Sequence, residues 1–241
     1  MRTSSSAPFL RPALAASLFG SLGLCGSSPI PPGSELSGTL GGGQRRYTTG
    51  GGCGGTLVQH HARELNGSFE ARHGFDNGLT MATSAALVPQ DDRAEGGEAD
   101  DGATAQVTVR GGYRGAYAGF ELGPTLWMSS NGSGEVLPLP AGNVWIGVPE
   151  YAFLYGDFLT GPLSLVSMPI GVGLGHQSDR LRLEAGLQPG NVSGHEQCPA
   201  VHLDGRYRVG KTWLGVNGDA CNDDIWRAGV SLGYSFAAGG G

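Results

Sequence analysis

His176 and Ser178 stand two residues apart in Gly175-His176-Gln177-Ser178-Asp179, so on an extended chain both side chains leave the same face. An imidazole in that position could take the serine proton and leave an oxygen nucleophile for an ester carbonyl. The same residues also read as an ordinary turn. His60 and His61 are adjacent, so they point to opposite faces of a strand; with His73 they find no Cys or paired carboxylate to complete a metal site and read as solvated side chains. The acidic stretch from Asp91 to Asp101 lacks EF-hand spacing and reads as an exposed loop. No metal and no cofactor is assigned. Cys198 and Cys221 lie in polar, turn-like segments flanking strands, where an oxidising compartment would join them as a disulfide. Cys53, inside a glycine run, has no evident partner, and no Cys-x-x-Cys spacing supports a zinc site.

The elements that carry these residues show a period of two. Val166, Met168, Ile170, Val172 and Leu174 fall on one face, with Ser167, Pro169, Gly171, Gly173 and Gly175 on the other. From 180 to 188, Leu181, Leu183, Ala185 and Leu187 alternate with Arg180, Arg182, Glu184 and Gln188. Leucines alternating with charges exclude a strand buried on both faces; they fit a barrel wall with lipid outside and a polar lumen inside. The same alternation appears at 105–110 and 116–122, which adds Arg110 and Glu121 to a lumen where opposite charges pair. Further strands are expected at about 67–74, 79–88, 143–157, 199–208, 211–218 and 226–236. The fold class is therefore all-β, an antiparallel up-and-down membrane β-barrel of about eight to ten strands. Trp127, Trp145, Trp213 and Trp226 lie near strand ends and are expected at the lipid–water boundary.

With 241 residues, 45 of them glycine, only 15% charged residues and a net charge of -6, the chain suits strands and turns and lacks a basic surface for nucleic acid. No apolar run is long enough for a spanning helix, whereas a barrel strand needs only about ten residues. Residues 1–28 have the layout of a signal peptide: Arg2 and Arg11, an apolar stretch from Ala13 to Leu24, then small residues. Residues 29–55, rich in Gly, Pro and Ser, read as a flexible tether, and 56–241 as the barrel domain.

Three resemblances follow. Leu22-Gly23-Leu24-Cys25 resembles a bacterial lipobox, which implies lipidation of Cys25, although Leu24 stands where Gly, Ala or Ser is usual. Trp226 to Phe236, ending Tyr234-Ser235-Phe236, resembles the terminal strand of bacterial outer-membrane β-barrels, although five residues follow the Phe. This implies the outer membrane of a diderm bacterium. His176-Gln177-Ser178 resembles the His-x-Ser pair of outer-membrane phospholipases and lipid A deacylases; the resemblance makes Ser178 a nucleophile, His176 its base and Asn191 the orienting third residue. Asp179 replaces the usual Asn. Strand parity also counts against it, because counting back from the last strand puts the turn after His176 on the periplasmic side. The same count puts 129–142 there too, so one boundary in it is misplaced.

The function expected from the sequence is a barrel with a structural or loop-mediated interaction role, its partners membrane lipid and an envelope or extracellular molecule at the loops. The alternatives are a lipid ester hydrolase using His176 and Ser178, and a secreted soluble β-sandwich adhesin.

Overall fold

The computed structural model describes residues 28–49, 58–94, 99–129, 136–158, 170–188, 200–222 and 225–236. They form a single closed sheet of twelve antiparallel strands: β1 (Gly33–Thr49), β2 (Val58–Gly74), β3 (Leu79–Ala94), β4 (Ala99–Arg114), β5 (Ala118–Ser129), β6 (Val136–Val148), β7 (Ala152–Phe158), β8 (Ile170–Gln177), β9 (Leu181–Gln188), β10 (Ala200–Val209), β11 (Thr212–Asn222) and β12 (Ile225–Phe236). Each strand pairs with its sequence neighbours, and β1 closes the ring against β12 from Ser34↔Phe236 to Arg45↔Ile225. The up-and-down barrel expected from the alternation is present, and one closed sheet leaves no place for the β-sandwich alternative.

The strand number is twelve rather than eight to ten, for two reasons. Residues 33–49, assigned above to a tether within 29–55, are β1, paired with β2 along its length and with β12 from Ser34 to Arg45. The stretch 143–157 is two strands, β6 and β7, reversed through Pro149-Glu150-Tyr151. The second correction moves the connection after β5 to the opposite end and so removes the inconsistency in the strand count, while the turn after His176 stays at the end where β12 ends. The five connections Phe75–Gly78, Gly115–Tyr117, Pro149–Tyr151, Ser178–Arg180 and Gly210–Lys211 lie at the end where β1 begins and β12 ends. All of them are short, and Gly78 (φ +88°) and Gly210 (φ +63°) take the left-handed backbone that two of them need. The other connections, up to eleven residues long, lie at the opposite end. The acidic stretch also contributes strand, with Asp91 in register with Asp101.

The period of two sorts the side chains as a membrane barrel requires. Leu40, Leu65, Leu174, Leu203, Val216 and Val230 point outward and are exposed, part of an apolar belt around the wall. Near the short-turn end the outward positions include Tyr113, Phe120, Tyr207, Tyr234 and Phe236, an aromatic girdle in which the Tyr234 and Phe236 rings meet edge-on at 4.9 Å. Of the tryptophans expected at the lipid–water boundary, Trp226 is exposed, at the opposite end of the barrel, but Trp145 and Trp213 face inward and are buried. The side chain of Trp127 lies outside the described residues, as do residues 1–27, Cys25, Cys53, Asn191 and Cys198.

Candidate functional site: the lumen

The inward positions carry polar and charged side chains that pair along and across the wall. Arg110 on β4 reaches Glu70 on β2 at 3.3 Å and Glu121 on β5 at 3.7 Å. Between β4 and β2 lies β3, whose Ala82 stands in register with both Arg110 and Arg72, so the long side chains pass over a methyl group. Higher in the lumen Arg227 on β12 reaches Glu64 on β2 at 3.1 Å across β1, where Gly43 is in register with both. A Cβ on Gly43 would collide with Arg227. Small inward residues thus open lanes for ion pairs that skip a strand. Thr108 and Thr125 share a hydrogen bond of 2.8 Å, and His202 meets Asp219 at 2.7 Å.

One pair crosses the lumen outright. Both terminal nitrogens of Arg182 on β9 donate to the Glu35 carboxylate on β1, at 2.8 and 2.6 Å, although the two strands are four positions apart around the ring. Both side chains are buried. The Arg182 guanidinium also lies 4.1 Å from the centre of the Trp213 ring, whose indole N–H donates to Ser235 Oγ at 2.8 Å. Arg110, Arg182, Glu121 and Glu184 are therefore lumen residues as the alternation implied, while Arg180 sits exposed in a turn.

The opposite wall is aromatic. Trp145, Phe153 and Tyr155 form a buried cluster, with ring centres 6.4 Å (Trp145–Phe153) and 6.3 Å (Phe153–Tyr155) apart. Gly175 faces Phe153, and Gly173 and Gly186 face Tyr155, so closely that a Cβ at any of them would strike the ring. The inward glycines of β8 are the space into which β7 lays its rings.

At the short-turn end the chain just before β1 enters the lumen. Ser28 and Ile30 are buried there; Ser28 Oγ donates to the Glu184 carboxylate, Arg72 donates to the Ser28 carbonyl, and Arg114 donates to the Ile30 carbonyl at 2.9 Å. The segment Ser28-Pro29-Ile30-Pro31-Pro32 is suited to this wall. Three prolines leave it few N–H donors and free carbonyl acceptors, and the wall offers arginine donors. Beside it lies a cavity of about 970 Å³, lined among others by Arg72, Arg114, Arg182, Arg208 and Trp213.

The His176–Ser178 pair lies at this same end and is not assembled. His176 Nδ1 is 3.1 Å from the Tyr151 carbonyl, and Ser178 Oγ bonds the backbone of Leu181 within its own turn. The structure instead joins Ser34 Oγ to His73 Nδ1 at 2.7 Å, two residues 39 apart in sequence that alternation alone does not bring together. Cys221, near the end of β11, is disulfide-bonded.

No protein-family model matches the chain, and no curated protein matches it. Solved structures do. An outer membrane channel from Pseudomonas putida F1 superposes with TM-score 0.54 at 12% identity, over 88% of this chain and 98% of that one. The translocator domain of the autotransporter NalP from Neisseria meningitidis superposes with TM-score 0.53 at 14% identity, over 93% of this chain and 94% of that one. At these identities the likeness is one of fold, and the fold is that of an outer-membrane β-barrel.

Proposed function

We propose that the protein is a narrow outer-membrane channel for small hydrophilic solutes. The observation that carries this reading is a charged, hydrogen-bonding lumen wall inside a barrel too wide for its own side chains to fill easily. Twelve strands, about 4.8 Å apart and tilted by about 40°, close on a backbone circle about 24 Å across, between the filled eight-stranded barrels and the open sixteen-stranded porins. The Glu35–Arg182 bridge, the aromatic wall and the segment from Ser28 narrow that bore and set an upper limit on solute size. Placing the five short turns in the periplasm and the longer connections outside follows the usual orientation of bacterial barrels.

This reading is better supported than a purely structural or loop-mediated role, because the described polar residues converge on the lumen. A lipid partner is the hydrocarbon around the apolar belt; an envelope or extracellular partner would meet the longer connections. The test is reconstitution of the purified protein. Discrete current steps in planar bilayers, and liposome swelling with small sugars but not with larger oligosaccharides, are expected. A silent protein with the heat-dependent gel shift of a closed barrel would remove the channel reading.

A further inference from the structure

At the short-turn end the arginines line the cavity wall, while the carboxylates of its lining other than Glu35 are exposed in the turns. The cavity there is lined by Arg72, Arg114, Arg182 and Arg208. Of these, Arg182 is neutralised by Glu35. Arg114 and Arg208 are half-buried, and among the described residues neither forms an ion pair: Arg114 donates to the Ile30 carbonyl and Arg208 Nε to the Gly210 carbonyl at 2.8 Å. The remaining acids of the lining, Glu150 and Asp179, are exposed in the turns, and Asp76 faces Arg114 from the β2–β3 turn. Deeper in, Arg72 and Arg182 are each 4% exposed; Arg72 Nε stands 3.9 Å from Glu70 Oε1, and neither Nε has a hydrogen-bond partner.

Trp213 organises the site. Arg182 and Arg208 lie 4.1 and 5.7 Å from its ring centre, so the indole helps hold two guanidinium groups beside the cavity. A guanidinium has five N–H donors and no acceptor, and those of Arg114 and Arg208 are only partly used by the backbone carbonyls named above. A cavity with low-dielectric walls into which such donors point concentrates anions and binds oxyanions by charge-assisted hydrogen bonds.

We infer that this short-turn vestibule is an anion site, with Arg114 and Arg208 as its selectivity-determining cations and small multivalent oxyanions as its ligands. The inference names the solute class for the channel reading and rests on that reading for its transport consequence, though not for binding.

Two measurements on the full-length protein test it, with citrate as the probe at matched ionic strength. In bilayers under a KCl gradient, the wild type prefers chloride to potassium, and citrate in one chamber blocks the current. In detergent, citrate changes the tryptophan emission, and Trp213→Phe removes that change. In the Arg114→Gln/Arg208→Gln variant the chloride-to-potassium permeability ratio falls at least about twofold and both citrate effects are lost, while the heat-dependent gel shift shows that the barrel still closes. Current with no anion preference and no citrate response, or a double variant identical to wild type, overturns the anion site and leaves the channel intact. An emission change lost in the double variant, in a protein that never conducts, upholds the site and removes the channel. Neither current nor emission change removes both.

Discussion

Replacing Glu35 by Gln isolates an ion pair that crosses the lumen. In the wild type the carboxylate takes two hydrogen bonds from Arg182, at 2.8 and 2.6 Å, with both side chains under 10% exposed. Removing one partner of a buried, bidentate pair strands the other charge, and such losses run to about 3–5 kcal/mol. Here the figure belongs at the lower end, about 3 kcal/mol, because Arg182 keeps its place against Trp213 at 4.1 Å and borders a cavity. The second substitution, Arg182→Met, removes the stranded cation, so the double variant recovers about 2 kcal/mol relative to the sum of the singles. Urea unfolding in detergent micelles, followed by the heat-dependent gel shift, gives all three values. A coupling energy below about 0.5 kcal/mol would show that the two side chains act independently and refute the bridge as a brace between β1 and β9.

Three other outcomes are expected. Gly175→Val drives a side chain into the Phe153 ring and costs about 1–3 kcal/mol; adding Phe153→Ala relieves the clash, so the double variant unfolds at higher urea than Gly175→Val alone. Leu40→Arg, at an outward position 70% exposed, costs about 2–4 kcal/mol if Leu40 lies near the bilayer midplane; unchanged folding yield into lipid vesicles would remove it from the lipid-facing belt. Cys198→Ala leaves Cys221 reactive toward a thiol label without reductant, whereas Cys53→Ala does not; the reverse result would make Cys53 the partner of Cys221.

Strands whose outward leucines alternate with inward charges were legible in the sequence, and so was the lumen location of Arg110, Arg182, Glu121 and Glu184. β1 was not, because its inward positions Gly41 and Gly43 have no side chain to set against Leu40; the glycines are there to leave room for Arg227 and other neighbours, not for flexibility. The parity of Trp145 was hidden because Val144 and Ile146 flank it and both are apolar, so alternation alone does not distinguish inside from outside. The turn between β6 and β7 lay inside what read as one strand. Pairs such as Glu35–Arg182, 147 residues apart, and Ser34–His73 depend on register around the ring, which no local pattern contains. For the His176–Ser178 alternative the limit is the converse one: a short local motif fits a turn just as well, and Ser178 lies in one, bonded to the Leu181 backbone.

The seam between β1 and β12 has a consequence for biogenesis. Ser34 faces Phe236, so the first strand finds its second neighbour only when the last has been made, and this contact closes a loop of about two hundred residues. Before that, β1 and β12 each present a row of unpaired amides and carbonyls that hydrocarbon cannot satisfy. A nascent chain therefore gains no stable resting place in a bilayer by adding hairpins one at a time. Insertion and ring closure must coincide, and a chain shortened by β12 exposes β11 and β1 as two adhesive edges, making it a substrate for envelope proteases rather than a smaller barrel.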